Sequence, residues 1–344
     1  MDASADVGLG HFMRCLALAQ QLQDQGKTPF FVTKTNLVYL LSLAKKEKIR
    51  IIPMNADSDL PEDAAFVNNM AEQKSASWVV LDGYNLLDRD YQETVVKKGR
   101  SLLCLDDLAR GHFICHALIN QNLGAESLPY SCEPYTKLFL GTKYLLVKRE
   151  FRKLQTWERA IRKKAKNILI TLGGGSSGSS ALMPKIGQAI CSLRDPSLHI
   201  KLIFGSDPKN DPALGEFLNQ CPSQIEYYPF VPDMLALMKW ADFVITAAGS
   251  TVWELLLTCA PMMIFIIAEN QKIIERFLTP YHCAKVWEGA KEISSDEIAY
   301  NIKDLIESQN IRAHYSARCK ILKENELDFF RPQLIFGEYH ENLR

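Results

Sequence analysis

A glycine-bracketed turn that runs directly into a helix is the feature that most constrains how this chain can fold. The stretch Gly8–Leu22 reads G-L-G-H-F-M-R-C-L-A-L-A-Q-Q-L, and its apolar residues recur at helical spacing. Such a turn leaves backbone N–H groups unpaired at the helix start, and the helix dipole favours an anion there. The pattern therefore predicts a phosphate or sugar site at Gly10, beside His11. An imidazole can transfer protons near neutral pH, so His11 is a candidate acid or base at that site.

Other interpretations of this stretch stay open, since a lone G-x-G is a weak signal. The glycines could form a plain tight turn, with His11 as an exposed helix cap. The predicted apolar stripe contains Phe12, Cys15, Leu16, Ala19 and Leu22. The polar residues Arg14, Gln20 and Gln21 fall outside that stripe.

Short apolar runs alternate with helical segments along the chain, which favours an α/β fold. The predicted strands cover 28–33, 50–54, 78–81, 102–105 and 117–120 in the first half, and 167–172, 200–204, 225–228, 243–246 and 262–267 in the second. Each run is short, continuous and apolar, as is typical of parallel strands buried on both faces. Polar residues follow many of them, at the strand ends where such sheets bind ligands.

This alternation predicts two Rossmann-like domains with a cleft between facing strand ends. The predicted boundaries are 1–155 for the first domain, 165–290 for the second and 291–344 for a helical tail. A charged segment at 156–166, T-W-E-R-A-I-R-K-K-A-K, is predicted to be a helical linker.

The first domain lacks an evident first strand. Only Met1–Val7, M-D-A-S-A-D-V, precede the glycine turn, and they carry no strand pattern. A sheet of this type begins with a strand that leads into the glycine loop. We therefore expect the protein to begin upstream, with about six further residues that form an apolar strand, or this form to be poorly stable.

Composition excludes several classes of function. Forty basic and forty acidic residues give a net charge of zero, so no nucleic-acid partner is expected. No apolar window approaches the roughly 20 residues of a membrane span, and no secretion signal is evident. The nine cysteines are scattered without C-x-x-C pairs or metal-ligand spacing. Several lie inside apolar runs, such as Cys104 in S-L-L-C-L and Cys191 in A-I-C-S-L, which indicates reduced thiols in the core. We expect a cytoplasmic monomer without a cofactor.

Four turn motifs are individually weak, but their order and spacing are specific together. They are G-L-G-H-F-M-R-C at 8–15, L-G-G-G at 172–175, A-A-G-S-T-V-W-E at 247–254 and A-E-N-Q at 268–271. With them the chain resembles the nucleotide-sugar enzymes of the GT-B fold, which include the N-acetylglucosaminyltransferase that makes lipid II. Within that group it is similar to the UDP-2,4-diacetamido-2,4,6-trideoxy-β-L-altropyranose hydrolases of pseudaminic acid synthesis. The opening D-A-S-A-D-V-G-L-G-H-F-M-R-C-L-A-L-A, D-G-Y at 82–84, D-D at 106–107 and L-I-N-Q-N at 118–122 carry this likeness.

The resemblance implies a catalytic set of three residues. His11 corresponds to the general base that activates the attacking water, Tyr84 to a tyrosine of the active-site wall, and Asn270 to an asparagine beside the diphosphate or sugar. Further substrate-binding residues in the first half are Gly10, Arg14, Asp82, Asp107 and Asn122. Alternatively, Tyr84 is a packing residue, and Asp106 and Asp107 only cap a turn.

For the second half, the resemblance implies a UDP site. Gly173 and Gly174 would approach the pyrophosphate by their backbone, Ser250 and Thr251 would cap a helix that faces phosphate, and Glu254 would accept both ribose hydroxyls. Phe230 and Val231 would lie at the uracil edge, and Gln271 beside the substrate. Alternatively, Glu254 is a surface helix residue, and Asn270 and Gln271 form an ordinary helix cap.

The implied reaction is hydrolysis of a UDP-linked amino-deoxy sugar at its anomeric carbon, with release of UDP. Water would replace the acceptor of a glycosyltransferase, and backbone amides rather than a metal ion would stabilise the leaving diphosphate. Two alternatives remain at this level: a GT-B glycosyltransferase with a true acceptor, and an inactive nucleotide-sugar binder.

Overall fold

The computed structural model describes residues 1, 10–96, 99–173, 177–205, 207–220, 225–268, 271–288 and 292–337. The chain divides into two compact units. The first combines Met1–Arg149 with Leu327–Arg344, and the second is Glu150–Glu326. The domain boundaries expected from the sequence, at 155, 165 and 291, stay a prediction.

The first unit is built on parallel strands with helices between them. Its strands are β1 (Phe30–Thr33), β2 (Arg50–Pro53), β3 (Trp78–Asp82), β4 (Ser101–Leu105), β5 (His112–Phe113), β6 (Ala117–Asn120), β7 (Ser131–Cys132) and β8 (Lys137–Leu140). Its helices are α1 (Gly10–Gln23), α2 (Val38–Lys46), α3 (Leu60–Gln73) and α4 (Arg89–Val96), with α5 (Arg149–Arg152) at the border of the units. The five predicted strands of this half are confirmed.

These strands form separate parallel sheets. β3, β4, β6 and β8 pair in that order in a four-stranded sheet, β1 pairs with β2, and β5 pairs with β7. Within the described ranges, no strand joins the β1–β2 pair to the four-stranded sheet. The segment 2–9, which contains most of the glycine turn, lies outside the described residues.

Helix α1 is buried on all sides. Phe12, Cys15, Leu16 and Ala19 of its apolar stripe are buried and Leu22 is half-buried. Arg14, Gln20 and Gln21, which fall outside the stripe, are buried too. Each of the first two has a partner from far along the chain. Arg14 is ion-paired with Asp82, and the amide oxygen of Gln20 accepts a hydrogen bond of 2.7 Å from Arg149 N. Polar side chains can be buried where such partners satisfy them.

The second unit is a six-stranded, all-parallel sheet with helices between the strands. Its strands are β9 (Asn167–Thr171), β10 (His199–Ile203), β11 (Ile225–Tyr228), β12 (Phe243–Ala247), β13 (Met262–Ile266) and β14 (Lys285–Glu288). Its helices are α6 (Ser177–Ser192), α7 (Pro212–Gln220), α8 (Met234–Trp240), α9 (Thr251–Leu257), α10 (Lys272–Leu278), α11 (Ser295–Glu307) and α12 (Gln309–Glu326). The order β11-β10-β9-β12-β13-β14 is that of a Rossmann sheet, and all five predicted strands of this half are confirmed.

The predicted helix at 156–166, near the start of the second unit, is wrong. Residues 157–162 have no regular secondary structure. The side chain of Arg159 explains how the segment is held, because its guanidinium donates to Met238 O, Ala241 O and Thr258 O at 2.7–2.9 Å. These carbonyls lie at the ends of α8 and α9, where a helix leaves carbonyl groups unpaired.

The end of the chain returns to the first unit. Leu145 and Phe329 form a parallel bridge, in which Leu145 N donates to Asp328 O at 3.2 Å and Leu145 O accepts from Phe330 N at 3.1 Å. Helix α13 (Gln333–Phe336) follows, and the Phe336 ring packs edge-on against Trp78 of β3 with centroids 5.0 Å apart. The first unit is therefore assembled from both ends of the sequence.

Most cysteines match the expectation of buried thiols. Seven are free, and six of these seven are buried. Cys191 is disulfide-bonded, so the expectation of reduced thiols is wrong there. It is only half-buried near the end of α6, rather than enclosed in the core as its apolar run suggested. Cys221 lies outside the described residues.

No helix in the described ranges is both long and apolar enough to cross a membrane. The longest, α12, has 18 residues and carries charges along its length.

Candidate active site and nucleotide-binding loops

Three polar side chains meet at one edge of the four-stranded sheet. Asp82 is the last residue of β3. Asp107 lies two residues after the end of β4, and Asn122 lies two residues after the end of β6. Because β3, β4 and β6 are parallel neighbours, their carboxyl ends lie at the same edge. Asn122 Nδ2 accordingly donates to Asp107 Oδ1 at 2.8 Å.

Arg14 of α1 connects the two carboxylates. Its Nε donates to Asp82 Oδ2 at 2.7 Å, and its Nη1 donates to both oxygens of Asp107 at 2.7 and 2.8 Å. A guanidinium is suited to this, because its fixed, planar donors can serve two carboxylates at once. One cation and two carboxylates leave this cluster with a net negative charge.

His11 completes the cluster from one turn earlier on α1. Its Nδ1 lies 2.5 Å from Asp82 Oδ1, and the two residues are 7% and 0% exposed. Arg14 Nη2 is 3.0 Å from the same ring nitrogen. We assign the proton to Nδ1, because a lone pair at 2.5 Å from a carboxylate oxygen would be repelled. Nε2 then keeps its lone pair and can accept a proton.

The charges of the cluster stabilise one another. Burial alone would raise the pKa of Asp82, but the Arg14 cation and the hydrogen bonds from Arg14 and His11 outweigh it and hold that pKa well below its usual range. Burial would lower the pKa of Arg14, but Asp107 and Asp82 raise it well above its usual value. Asp82 is therefore ionised near neutral pH, with its carboxylate beside Nδ1 of the imidazole.

Tyr84 lies beside His11, as a wall residue would. The two rings meet edge to face, with centroids 5.1 Å apart and planes at 85°, and Tyr84 is 41% exposed. Gly83 turns the chain between Asp82 and Tyr84 with φ of 143°, a conformation that favours glycine. This turn lets Asp82 point inward while the Tyr84 ring reaches the surface.

The two adjacent aspartates have different surroundings. Asp107 faces Arg14, whereas Asp106 Oδ2 accepts hydrogen bonds from Leu108 N, Ala109 N and the Tyr130 hydroxyl at 2.7–2.9 Å. Burial raises the pKa of Asp106, and these hydrogen bonds offset only part of that increase. The turn-capping alternative therefore describes Asp106 but not Asp107.

In the second unit, several predicted nucleotide residues follow two adjacent strands. Gly173 comes after β9, and Ser250 and Thr251 come after β12, which pairs with β9. The strand order reverses between β9 and β12, and open α/β sheets bind ligands at such a switch point. Gly173 is exposed with φ of 84°, and Ser250 is exposed with no hydrogen bond from its side chain to the helix it precedes.

The remaining predicted residues are less fully described. Glu254 lies in the first turn of α9 and is half-buried, so it is not a freely exposed helix residue. Phe230 and Val231 are half-buried in the loop after β11. Gln271 Oε1 accepts from Ile267 N at 3.0 Å, so its amide oxygen is used within the protein. Gly174 and Asn270 lie outside the described residues.

Three contacts of the site were not predicted from the sequence. The Cys15 thiol donates to Asp82 Oδ2 at 3.3 Å, and Asn120 Nδ2 donates to the Tyr130 hydroxyl at 2.8 Å. Asn120 Oδ1 also accepts from Asn122 N at 3.0 Å. Asn120 lies within the L-I-N-Q-N motif and could have been identified there, whereas nothing in the sequence marks Tyr130.

The part of the chain that the structure describes contains no group of three or more His, Cys, Asp or Glu side chains arranged to hold a metal ion. The Arg14 cluster has two carboxylates, but their oxygens already accept from the guanidinium.

Comparison with known protein families gives a match in the second unit. Residues 167–274 match the glycosyltransferase family 28 C-terminal domain. This range begins at β9 and ends within α10, so it contains every predicted nucleotide-binding residue of that unit.

Two curated relatives carry the hydrolase name. A UDP-2,4-diacetamido-2,4,6-trideoxy-β-L-altropyranose hydrolase of Campylobacter jejuni is 23% identical over 277 residues, 79% of this chain and 91% of that protein. A Helicobacter pylori protein, named as pseudaminic acid cytidylyltransferase and as the same hydrolase, is 26% identical over 276 residues, 79% of this chain and 44% of its own length. The chain spans about half the length of some of the curated relatives it matches, 55% and 44% in two cases.

A solved structure shows the fold. MurG of Acinetobacter baumannii superposes with a TM-score of 0.63 at 18% identity, covering 98% of this chain and 97% of its own. The GT-B fold predicted from the sequence is thereby confirmed. The predicted resemblance is confirmed as well: the chain is a homologue of proteins named UDP-2,4-diacetamido-2,4,6-trideoxy-β-L-altropyranose hydrolase, and it has the GT-B fold of the glycosyltransferases.

Proposed function

We propose that this protein hydrolyses a UDP-linked 2,4-diacetamido-2,4,6-trideoxy sugar at its anomeric carbon, releasing UDP and the free sugar for pseudaminic acid synthesis. The observation that carries the proposal is the buried pair of His11 and Asp82, with Nδ1 and Oδ1 2.5 Å apart. A carboxylate behind an imidazole orients the ring and stabilises it once it takes up a proton, which is what a general base requires. The names of the relatives supply the substrate.

In the proposed reaction, His11 Nε2 takes a proton from water as its oxygen attacks C1 of the sugar. The bond between C1 and the β-phosphate oxygen breaks, and UDP leaves on the opposite face, so the anomeric configuration inverts. Asp82 stabilises the imidazolium that forms. Arg14 holds Asp82 ionised and in place through hydrogen bonds from Nε to Oδ2 at 2.7 Å and from Nη2 to Oδ1 at 2.5 Å. Tyr84 forms one wall beside the imidazole.

The second unit binds the nucleotide in this proposal. Glu254 accepts the ribose hydroxyls, and Phe230 and Val231 meet the uracil edge. The leaving diphosphate is stabilised by backbone amides and hydroxyls of the two glycine-containing turns, at Gly173, Gly174, Ser250 and Thr251. Asn270 and Gln271 contact the diphosphate or the sugar. Preorganised amides of this kind can stabilise developing negative charge without a metal ion.

The test is turnover in oxygen-18 water without any acceptor. The substrate is the UDP-2,4-diacetamido-2,4,6-trideoxy-β-L-altropyranose named for the Campylobacter relative. We expect UDP release, with the label in the sugar and none in UDP. His11→Asn should reduce turnover by about 10²-fold or more while UDP affinity stays the same. His112→Asn is the matched control, since His112 lies in β5 and bonds to Ser131 and Glu133 instead of the cluster.

The other outcomes distinguish the alternatives. UDP release that depends on an added acceptor would identify a glycosyltransferase, a function named for other proteins of this fold. Tight UDP binding without any turnover would identify a nucleotide-sugar binder. Label in the phosphate would mean attack at phosphorus and would contradict the role of His11.

A further inference from the structure

Both carboxylate oxygens of Asp107 are bonded within the protein. Its Oδ1 accepts from Arg14 Nη1 at 2.7 Å and from Asn122 Nδ2 at 2.8 Å, and its Oδ2 accepts from the same Arg14 nitrogen at 2.8 Å. An ionised carboxylate has about four acceptor positions, so these bonds use most of them. The resemblance implies that Asp107 and Asn122 bind substrate, but these contacts favour a role in holding Arg14.

Arg14 divides its donors between two carboxylates. Its Nε and Nη2 donate to Oδ2 and Oδ1 of Asp82 at 2.7 and 2.5 Å, whereas Nη1 donates to Asp107. Because a guanidinium is rigid and planar, a partner that fixes one edge of it also fixes the direction of the other edge. Asp107 therefore sets the plane in which Arg14 meets Asp82.

The contacts continue to the imidazole of His11. Asp82 Oδ1, which accepts from Arg14 Nη2, also lies 2.5 Å from His11 Nδ1. Hydrogen bonds thus connect Asn122 through Asp107, Arg14 and Asp82 to His11. The carboxylates and the amide of this series lie at the ends of β3, β4 and β6, and the other two side chains belong to α1. The orientation of the imidazole therefore depends on side chains at three neighbouring strand ends.

Asp107 also sets the charge behind the imidazole. Arg14 and Asp82 alone would be a neutral ion pair, which offers little attraction to the positive charge that His11 gains in the proposed reaction. With Asp107, the cluster carries one net negative charge at rest and becomes neutral when His11 takes up a proton. Arg14 and Asp82 are 7% and 0% exposed, and charges attract one another more strongly at such buried sites than in water. The charge of Asp107 therefore stabilises the imidazolium during the reaction.

We propose that Asp107 is a positioning residue for the catalytic base: it holds Arg14 so that Asp82 faces His11 Nδ1, and its charge balances the imidazolium. Asn122 fixes the Asp107 carboxylate in turn. No bond to the substrate and no proton transfer is assigned to either residue. The proposal rests on the proposed function, because it takes His11 as the base, but the arrangement that it describes exists before any substrate binds.

The kinetics of UDP release separate a positioning role from substrate binding. Asp107→Asn keeps the shape of the side chain but removes its charge, so kcat should fall by about 10–10²-fold while KM stays within about twofold. Asn122→Ala removes one hydrogen bond to Asp107, so kcat should fall about three- to tenfold, again without a change in KM. Asp24→Asn is the matched control, because Asp24 accepts from Arg149 Nε at 2.9 Å just after the end of α1, away from His11. Its kcat and KM should not change.

Nitrogen-15 NMR of the substrate-free protein reports on the imidazole itself. The parent protein should show one His11 tautomer, with the proton on Nδ1, and His11→Asn identifies its signals. In Asp107→Asn we expect a mixture of tautomers, or exchange of the Nδ1 proton with water at least about tenfold faster. Asn122→Ala should change the same signals by a smaller amount, and Asp24→Asn should leave them unchanged. This measurement requires no turnover.

Three outcomes would overturn the proposal. Unchanged kcat in Asp107→Asn would show that its charge is not needed, and a higher KM would then identify a substrate ligand. Parent-like His11 signals in both Asp107→Asn and Asn122→Ala would exclude a connection through Arg14. A parent spectrum with the proton on Nε2 would contradict the arrangement around Asp82.

Two further outcomes keep this proposal separate from others. If the parent protein hydrolyses no UDP-sugar, the proposed function fails, whereas changed His11 signals in Asp107→Asn would still support the positioning of the imidazole. If Asp107→Asn does not fold, Asn122→Ala decides, because it removes one hydrogen bond and no charge.

Discussion

Replacing Asp82 by Asn tests the central ion-pair cluster most directly. The change keeps the side-chain volume but removes a buried charge that accepts from His11, Arg14 and the Cys15 thiol. Hydrogen bonds to a charged group contribute about 1.5–3 kcal/mol each. Arg14 keeps both of its bonds to Asp107, so no cation is left unpaired. We therefore expect a loss of about 2–4 kcal/mol in the free energy of unfolding, which a typical domain survives.

The effect of Asp82→Asn on turnover should be larger than its effect on folding. Without the carboxylate, the imidazole of His11 loses the group that holds its Nδ1–H and stabilises its protonated form. The expected fall in kcat is about 10²–10⁴-fold, with KM changed much less.

Asp63→Asn is the matched control for this variant. Asp63 is also buried in the first unit and ion-paired, with Lys34 Nζ at 2.9 Å from its Oδ2. It should lose stability without losing kcat. UDP release gives kcat and KM, and urea denaturation gives the stability. An Asp82→Asn enzyme with normal kcat would refute the orienting role.

Three further predictions concern the nucleotide, acid stability and packing. Glu254→Ala should weaken UDP binding roughly tenfold or more, from the loss of about 1.5–3 kcal/mol, and abolish any preference for UDP over dUDP in calorimetry; unchanged affinity would contradict the ribose role. Folding lowers the pKa of Asp82, so its contribution to stability is fully present above the pKa of the unfolded chain, near 4, and is lost as pH falls towards the pKa of the folded state. Urea denaturation between pH 6 and pH 2 should show this loss of stability in the parent protein and little of it in Asp82→Asn. Gly178→Ala should cost about 1–3 kcal/mol, because a Cβ there would lie 2.4 Å from Ile267 O, whereas Gly215→Ala in α7 meets only Pro208 O at 3.4 Å and should be neutral or stabilising; equal stabilities in urea would argue against this packing constraint.

Much of the first-unit cluster could be predicted from the sequence, since it depends on strand ends. Asp82, Asp107 and Asn122 follow apolar runs that any reading of parallel strands would place side by side. The same argument locates Gly173 and Ser250 in the second unit. These predictions needed only the positions of the strands and their parallel direction, and both follow from the short apolar runs in the sequence.

The burial of Arg14 could not be predicted in the same way. Helical periodicity puts it outside the apolar stripe, and its partners Asp82 and Asp107 lie 68 and 93 positions away. Only the folded sheet brings them within 3 Å. The helix predicted around Arg159 was wrong for a related reason. The composition of this segment favours a helix, but Arg159 binds carbonyl groups at the ends of α8 and α9, which come later in the chain.

The return of the chain end to the first unit has a consequence for biosynthesis. A ribosome makes the sequence from its amino end, and domains commonly fold as they emerge. Here Phe329 forms a β-bridge with Leu145, and the rings of Phe330 and Phe336 pack against Phe139 and Trp78. The first unit can therefore acquire its last contacts only after the entire second unit has been translated. A nascent chain stalled before residue 327 would hold an unfinished first unit, with those aromatic positions uncovered and available to chaperones.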